Sequence, residues 1–313
     1  MTKVFIDGSA GTTGLRIVER LSQRKDLELL ILPDELRKDP AARADALQTA
    51  EIAFLCLPDD AARESVALAG NSKVKIIDTS TAHRTCDDWA YGMPELSSLR
   101  EKIATSSRIA NPGCHASGFV ALVAPLVQAG IVPKDLPLQS FSLTGYSGGG
   151  KKMIAQYEEK SGNVLLNGPR QYALTQSHKH LKEMVKLCGL ETTPIFCPIV
   201  ADFYSGMEVT VPLFTNQIKG NLEDIKALYK AYYQSGLIHF DEAADADGLL
   251  SAVAYAMRDD MGVSAFGNDE RIILTARFDN LGKGASGAAI QNMNILLGLP
   301  EDTGLNTQRG LFA

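Results

Sequence analysis

The sequence is short of the features that mark several protein classes, and each shortage excludes something. Its cysteines number five, at positions 56, 86, 114, 188 and 197. The count is odd, the spacings are irregular and no Cys-x-x-Cys pair occurs, so neither a disulfide framework nor a zinc site is expected. Reduced thiols of this kind suit a cytoplasmic protein. Basic residues are outnumbered, 31 Lys and Arg against 37 Asp and Glu, for a net charge of -6. A nucleic-acid partner calls for a basic face instead, and adjacent cations such as Arg37-Lys38 and Lys151-Lys152 are only pairs. No stretch approaches the ~20 apolar residues of a membrane helix; the longest apolar run, Phe119 to Val127, contains Pro125. Met1-Thr2-Lys3 leads straight into apolar residues, which leaves no place for a signal peptide. Internal repeats, low-complexity linkers and blocks of like charge are missing as well.

What is present is enough apolar material for a sizeable core, 45% of 313 residues, in a chain long enough for two domains. In the first third, apolar runs at 3–7, 27–32, 51–58, 73–78 and 107–111 read as strands. Helical patterns separate them, the first with Leu15, Val18 and Leu21 on one face. This alternation predicts a parallel sheet covered on both faces, a Rossmann-like α/β domain. The middle differs. Residues 137–152 start with period-2 alternation and break into a glycine-rich loop. Residues 193–214 read as two strands joined near Ser205-Gly206, and 247–258 and 270–280 add strand-like pieces. These predict an α+β second domain with a mixed or antiparallel sheet. From Ser286 to Leu297, the apolar positions Ile290, Met293, Leu296 and Leu297 predict a helix.

The first strand runs into Asp7-Gly-Ser-Ala-Gly-Thr-Thr-Gly14. Gly8, Gly11 and Gly14 permit a tight turn, close approach of a pyrophosphate and close packing of helix on strand. Ser9 and Ala10 complete the turn, and Thr12 and Thr13 add hydroxyl donors at a helix N-terminus that favours anions. The alternative is an ordinary βα turn. Beyond the second strand, Asp34 and Glu35 suit a free ribose 2′-hydroxyl and Arg37 and Lys38 a 2′-phosphate, so the choice between NAD and NADP stays open.

Asn111-Pro-Gly is a turn signal, and an apolar helical run kinked by Pro125 follows it. Cys114 therefore stands at a helix N-terminus, where a thiol ionises more readily. The other reading is a small buried hydrophobe. Cys56, Cys188 and Cys197 lie in apolar segments and read as packing; Cys86 has Asp87 and Asp88 beside it, which disfavour a thiolate. A nucleophilic thiol needs an acid or base. His180 and Glu183 are neighbours on a predicted helix, with Leu181, Met184, Val185 and Cys188 as its buried stripe. The alternative is two solvated histidines, His178 and His180, which face opposite ways on a helix. A metal at these histidines lacks a third ligand, and no metal is expected.

Taken in order, DGSAGTTG, NPGCHASG, GYSGGGKK, HKHLKE and DNLGKGASGAAIQNMN make nearly the whole chain resemble the shorter-chain N-acetyl-gamma-glutamyl-phosphate reductases, within a wider group that includes aspartate-semialdehyde dehydrogenase. The resemblance implies NADPH-dependent reduction of an acyl phosphate to an aldehyde, with NADP(H) as cofactor, in arginine biosynthesis. It makes Cys114 the nucleophile and His180 the acid/base, while the helical spacing places Glu183 to hold that imidazole in one tautomer. It assigns Gly8, Ser9, Ala10, Gly11, Thr12, Thr13, Gly14, Pro58 and Asn292 to the cofactor, and Arg84, Ser147 and Gly148 to the substrate. It implies residues 1–114 with 286–313 as the NADP-binding domain and 115–285 as the catalytic and oligomerisation domain. The implied partners are a small acyl phosphate or semialdehyde, phosphate and further copies of the chain in a dimer or tetramer, with neither nucleic acid nor membrane. His115 departs from the pattern, which has Tyr after the cysteine. Rival readings are the same chemistry on aspartyl or N-acetyl-aminoadipyl phosphate, a thiol hydrolase, and a dinucleotide-binding sensor without enzymatic activity.

Overall fold

The computed structural model describes residues 1–159, 162–245 and 247–307. They fall into two compact units: Met1–Pro112 with Ala285–Leu305, and Gly113–Gly284 with the described residues from Asn306 on. The division thus comes just before Cys114 and places that residue in the second unit. The expected end of the first domain, 308–313, lies outside the described residues.

The first unit contains β1 (Thr2–Asp7), α1 (Thr12–Leu21), β2 (Leu27–Leu30), α2 (Pro40–Thr49), β3 (Ile52–Leu55), α3 (Asp59–Ala69), β4 (Lys75–Asp78), β5 (Ala90–Tyr91), α4 (Leu99–Thr105) and β6 (Arg108–Ala110). The second contains α5 (Cys114–Gln128), β7 (Gln139–Gly145), α6 (Gly150–Glu159), β8 (Arg170–Gln171), α7 (His180–Cys188), β9 (Ile195–Ala201), β10 (Met207–Phe214), α8 (Leu222–Tyr232), β11 (Ile238–Phe240), β12 (Met261–Gly267) and β13 (Arg271–Phe278). The chain then returns to the first unit as α9 (Gly287–Leu296). Among the described residues no helix is long and apolar enough to cross a membrane.

The first sheet, ordered β2-β1-β3-β4-β6-β5, is parallel throughout, the Rossmann-like arrangement expected. Strand side chains alternate between faces, so neighbours in β1 enter different cores. Val4 and Ile6 pack with Ile17, Ile290 and Met293, whereas Phe5 packs with Leu47, Leu55 and Ala62. The two-residue β5 was too short to give a periodic signal. The buried face of α1 is Gly14, Ile17 and Leu21, with Val18 partly buried against the same core; of the expected face only Leu15 is corrected, being 49% exposed. The apolar residues alone missed Gly14, where a Cβ would lie 2.3 Å from the Gly8 oxygen of the turn.

The second sheet, ordered β11-β12-β13-β10-β7-β9-β8, mixes parallel pairs (β7 with β9, β11 with β12) with antiparallel ones. Residues 247–258, read as strand-like, form turns instead. Hydrogen bonds three residues apart run through Ser251, Val253 and Tyr255, and Asp247 and Met257 have positive φ, which no strand accommodates. In β7 the inward residues are Ser140, Ser142 and Thr144, so this strand carries a buried polar row. On the other face Phe141, Ile195, Phe214 and Ile273 are exposed.

Helix α5 is apolar nearly all round and correspondingly buried, against α7, α8, β10 and β13. A helix of that character belongs in a core. It runs on through Pro125 to Gln128. Proline offers no N–H to the Ala121 carbonyl four residues back, and the Tyr233 hydroxyl donates to that carbonyl at 2.7 Å. The Tyr229 hydroxyl does the same for Leu122 at 2.6 Å. Replacing Tyr233 by Phe leaves a buried acceptor unmet and is expected to cost about 1–3 kcal/mol in urea unfolding. In a Pro125→Ala background the helix supplies its own N–H, and the same replacement is expected to cost distinctly less. Equal costs in both backgrounds would contradict this account.

Candidate active site

In the first unit, β1 ends in the glycine turn. Gly8 has φ +86°, and a Cβ there would lie 2.3 Å from the Cys56 carbonyl oxygen at the end of β3. The Gly11 amide donates to the Gly8 carbonyl at 3.0 Å, and Gly11 is the N-cap of α1. A Cβ on Gly14 would lie 2.3 Å from the Gly8 oxygen. Gly8 and Gly14 therefore each meet a close backbone approach. Ser9 and Ala10 fill the turn, and Thr12 and Thr13 begin the helix. No side chain caps α1 and its first turn has no acidic residue, so its amide end is suited to an anion.

Behind the turn, the buried Asp7 carboxylate takes Arg43 Nε at 3.1 Å and the Ser65 hydroxyl at 2.5 Å. This pairing fits the rule that buried charges are compensated. Pro58 caps α3, immediately after Cys56 and Leu57, which press on Gly8. Asn292, buried in α9, donates its amide to Gly92 O and Ala288 O at 2.9 Å each. Its Oδ1 is buried without a hydrogen-bond donor among the described residues, the kind of acceptor a carboxamide N–H would satisfy. The glycine cradle, the uncapped helix and this acceptor fit a nicotinamide dinucleotide. Beyond β2, Arg37 Nε pairs with Asp34 at 3.2 Å. Arg84 is buried and donates from Nη2 to Thr79 O at 2.9 Å. Its neighbour His83 stacks on Trp89 and meets Asp78 at 2.7 Å.

In the second unit, Cys114 is the first residue of α5, after the N-cap Gly113. The helix is fifteen residues long, with neither a side-chain cap nor an acid in its first turn. Its dipole favours an anion at that sulfur. The Gly113 amide donates to Glu183 Oε2 at 2.9 Å, so α7 is tied to the residue that precedes the cysteine. His180 opens α7, and its Nε2 lies 4.0 Å from Glu183 Oε1. One carboxylate thus anchors the start of α5 with one oxygen and faces the imidazole with the other. Both residues are buried, together with Leu181, Met184 and Cys188, while Val185 is only half-buried.

One expectation about the histidines changes. His178 precedes the first turn of α7, so the helical argument that it faces away from His180 does not apply; the rings stand edge to face at 4.6 Å. His115 lies inside the cluster, its ring 5.5 Å from that of His180 and 5.8 Å from that of His178. Its Nδ1 is 2.6 Å from the Ser142 hydroxyl and its Nε2 2.6 Å from the Tyr172 hydroxyl. Burial, with His178 beside it, pushes the His115 imidazole down to about 3. Sequence reasoning noted His115 only as a departure from the family pattern and missed Tyr172 and Ser142. The only available signal was the alternation of β7, which turns Ser142 inward. Among the described residues no group of three His, Cys, Asp or Glu is arranged to hold a metal.

Ser147 and Gly148 lie in a short helical turn, Tyr146–Gly149. The Ser147 hydroxyl accepts from Asn280 Nδ2 at 3.0 Å. Asn280 Oδ1 also takes the Gly206 amide at 3.0 Å, and buried Asp279 takes the Ser205 hydroxyl and the amides of Met257, Leu281 and Gly282. These two side chains bring four loops together. The following turn packs on the thiol-bearing residue: a Cβ on Gly284 would lie 2.9 Å from that of Cys114.

Residues 32–106 match the family described as semialdehyde dehydrogenase, NAD binding domain, and residues 114–280 that described as semialdehyde dehydrogenase, dimerisation domain. N-acetyl-gamma-glutamyl-phosphate reductase 2 of Nostoc sp. is 45% identical over 97% of this chain and 99% of its own length. The N-acetyl-gamma-glutamyl-phosphate reductase of Trichormus variabilis is 46% identical with the same coverage. Among solved structures, aspartate semialdehyde dehydrogenase II of Vibrio cholerae, complexed with ASA, has a TM-score of 0.73 at 19% identity, across 95% of this chain and 98% of that one. Aspartate semialdehyde dehydrogenase of Candida albicans, with NADP, has a TM-score of 0.67 at 18% identity and the same coverage. At such identities the likeness speaks for the fold.

Burial pushes the Cys56 thiol up to about 12 and the Cys188 thiol up as well. Limited iodoacetamide at neutral pH, read by peptide mass spectrometry, is expected to modify Cys114 well before either. Faster labelling of Cys56 or Cys188 would contradict the placement of the reactive thiol.

Proposed function

The chain belongs to the N-acetyl-gamma-glutamyl-phosphate reductase family, and on that footing we propose that it converts N-acetyl-L-glutamyl 5-phosphate to N-acetyl-L-glutamate 5-semialdehyde and phosphate, reversibly, with NADPH, in arginine biosynthesis. The observation that carries this reading is a cysteine at an uncapped helix N-terminus, joined through Gly113 and Glu183 to a histidine on the next helix.

The Cys114 thiolate attacks the acyl carbonyl. Phosphate leaves with the electron pair of the C–O bond, and a thioester remains on the sulfur. The first amides of α5 would stabilise the carbonyl oxygen as it becomes negative, typically by about 3 kcal/mol per donor. NADPH, when bound at the glycine turn, supplies the hydride that reduces the thioester. His180 protonates the oxygen of the resulting thiohemiacetal, whose collapse releases aldehyde and thiol. Glu183 faces the imidazole at 4.0 Å and would orient it. Gly8, Ser9, Ala10, Gly11, Thr12, Thr13 and Gly14 would hold the pyrophosphate, with Pro58 and Asn292 as further contacts. Arg84 and the Ser147-Gly148 turn would meet the anionic substrate. The bond from Asn280 to Ser147 favours a backbone role there over a free hydroxyl.

The second unit's exposed row, Phe141, Ile195, Phe214 and Ile273, supports self-association through the sheet, as a dimer or tetramer. None of the cysteines is in a disulfide, which suits the cytoplasm.

Cys114→Ser is expected to lower phosphate-dependent reduction of NADP+ with N-acetylglutamate semialdehyde by at least about a thousandfold while nucleotide binding persists. Retained turnover, or a clear preference for aspartate semialdehyde in the wild-type protein, would overturn the mechanism or the substrate respectively. Gly8→Ala places a Cβ against the Cys56 carbonyl and is expected to abolish the rise in melting temperature that NADPH gives. An undiminished rise would remove the turn from the cofactor site.

A further inference from the structure

The edge of the second sheet that precedes α7 is finished by a side chain. Strand β8 pairs with β9 in antiparallel register, Arg170 with Val200 and Gln171 with Ile199. The next residue, Tyr172, donates its amide to the Pro198 carbonyl at 3.0 Å. A hydrogen-bonded antiparallel pair exchanges two such bonds, but Pro198 has no N–H to return, so the ladder stops there. The chain turns away instead. Ala173 (φ 52°) and Gln176 (φ 55°) both take the left-handed backbone that residues with a Cβ rarely adopt, and the Gln176 amide closes the turn on the Ala173 carbonyl at 2.9 Å. The Gln176 side chain then takes the place of the missing strand. Its Nε2 donates to the Phe196 carbonyl at 2.8 Å, and its Oε1 accepts the Phe196 amide at 2.9 Å. Leu174, Thr175, Gln176 and Ser177 are exposed, so bonds to β9, rather than burial, tie this segment down.

Both ends of this clamp lead to the histidines. The buried Phe196 ring packs on His115 and His178, with centroids 5.2 and 5.1 Å away. Two residues after Gln176, His178 caps the start of α7: its Nδ1 accepts the His180 amide at 3.2 Å and its carbonyl the Leu181 amide at 3.1 Å. Amides of a first helical turn need such partners from outside the helix. Glu183 pins α7 one turn further on, to the Gly113 amide; the Gln176 clamp governs the segment that enters the helix. We propose that Gln176 is a positioning residue for the acid/base: by pairing with Phe196 as a strand would, its side-chain amide holds the left-handed segment that leads into α7 and so sets where the His180 imidazole stands. The inference rests on the reading of His180 as the acid/base and deepens it.

The test is steady-state kinetics of the full-length protein with N-acetylglutamate semialdehyde, phosphate and NADP+, beside its melting temperature. Gln176→Ala removes the amide, and Gln176→Gly removes it while easing the positive φ. Both are expected to lower kcat by about ten- to a hundredfold, the scale on which a small misplacement of a reacting group acts, with the KM for NADP+ and for the semialdehyde unchanged. A similar loss in the two variants ties the effect to the amide rather than to the backbone, and Gln176→Gly decides the matter if Gln176→Ala fails to fold. A wild-type kcat in either folded variant overturns the proposal, even where the melting temperature falls, because the clamp would then be a structural staple only. A loss carried by KM instead overturns it as well. The two levels separate through His180→Gln. Retained turnover in that variant would sink the acid/base reading itself. An inactive His180→Gln beside Gln176 variants of unchanged kcat would sink only the clamp.

Discussion

A single hydrogen bond, from the Gly113 amide to the buried Glu183 carboxylate, fixes where α5 begins relative to α7. Everything proposed for the second unit depends on it. An α-helix presents its dipole end only at its first residues. A register change of one residue in α5 would carry the sulfur away from the amides and away from His180. Glu183 prevents this with an interaction of the strong, charge-assisted type. Its other oxygen faces the imidazole at 4.0 Å. One carboxylate therefore couples the position of the thiol to the surroundings of the His180 imidazole.

The same economy of placement recurs around the glycines. Gly8 and Gly14 are required because backbone oxygens occupy the space a side chain would need, while Gly284 leaves room beside Cys114. Ser142 and Tyr172 use side-chain oxygens for the opposite purpose, to fill space with directed polarity. The core of the second unit thus carries a polar seam, Ser140, Ser142 and Thr144 on β7, beneath an otherwise apolar helix. The Ser142 hydroxyl there meets His115 Nδ1 at 2.6 Å, and a buried polar group so paired imposes a definite geometry.

Much of the fold was legible in the sequence. The parallel first sheet announced itself through apolar runs separated by helical patterns, and the glycine spacing located its first turn. The reading failed where local chemistry overrode periodicity. In α1 the buried stripe follows Gly14 and Ile17, since the tight approach to the turn excludes a larger residue. At 247–258 an apolar composition resembled a strand, but positive φ at Asp247 and Met257 breaks it into turns. Pro125 suggested a kink, and a tyrosine hydroxyl from a distant segment takes the place of the missing amide. Such partners, separated by about a hundred residues in the chain, leave no trace in a local pattern. The site divides similarly. Cys114, His180 and Glu183 were readable from a turn signal and an i, i+3 spacing, whereas His115, Tyr172 and Ser142 come together only through the packing of α5 on the second sheet.

The central claim is that the Cys114 sulfur becomes acylated with loss of phosphate before any reduction takes place. It is tested most directly by incubating the protein with N-acetyl-L-glutamyl 5-phosphate in the absence of NADPH, quenching in acid and mapping the added mass. The account predicts one acyl group per chain, on the peptide that carries Cys114, with stoichiometric release of phosphate. An unmodified Cys114, or an acyl group found elsewhere, in a preparation that reduces the same acyl phosphate once NADPH is added, would contradict it.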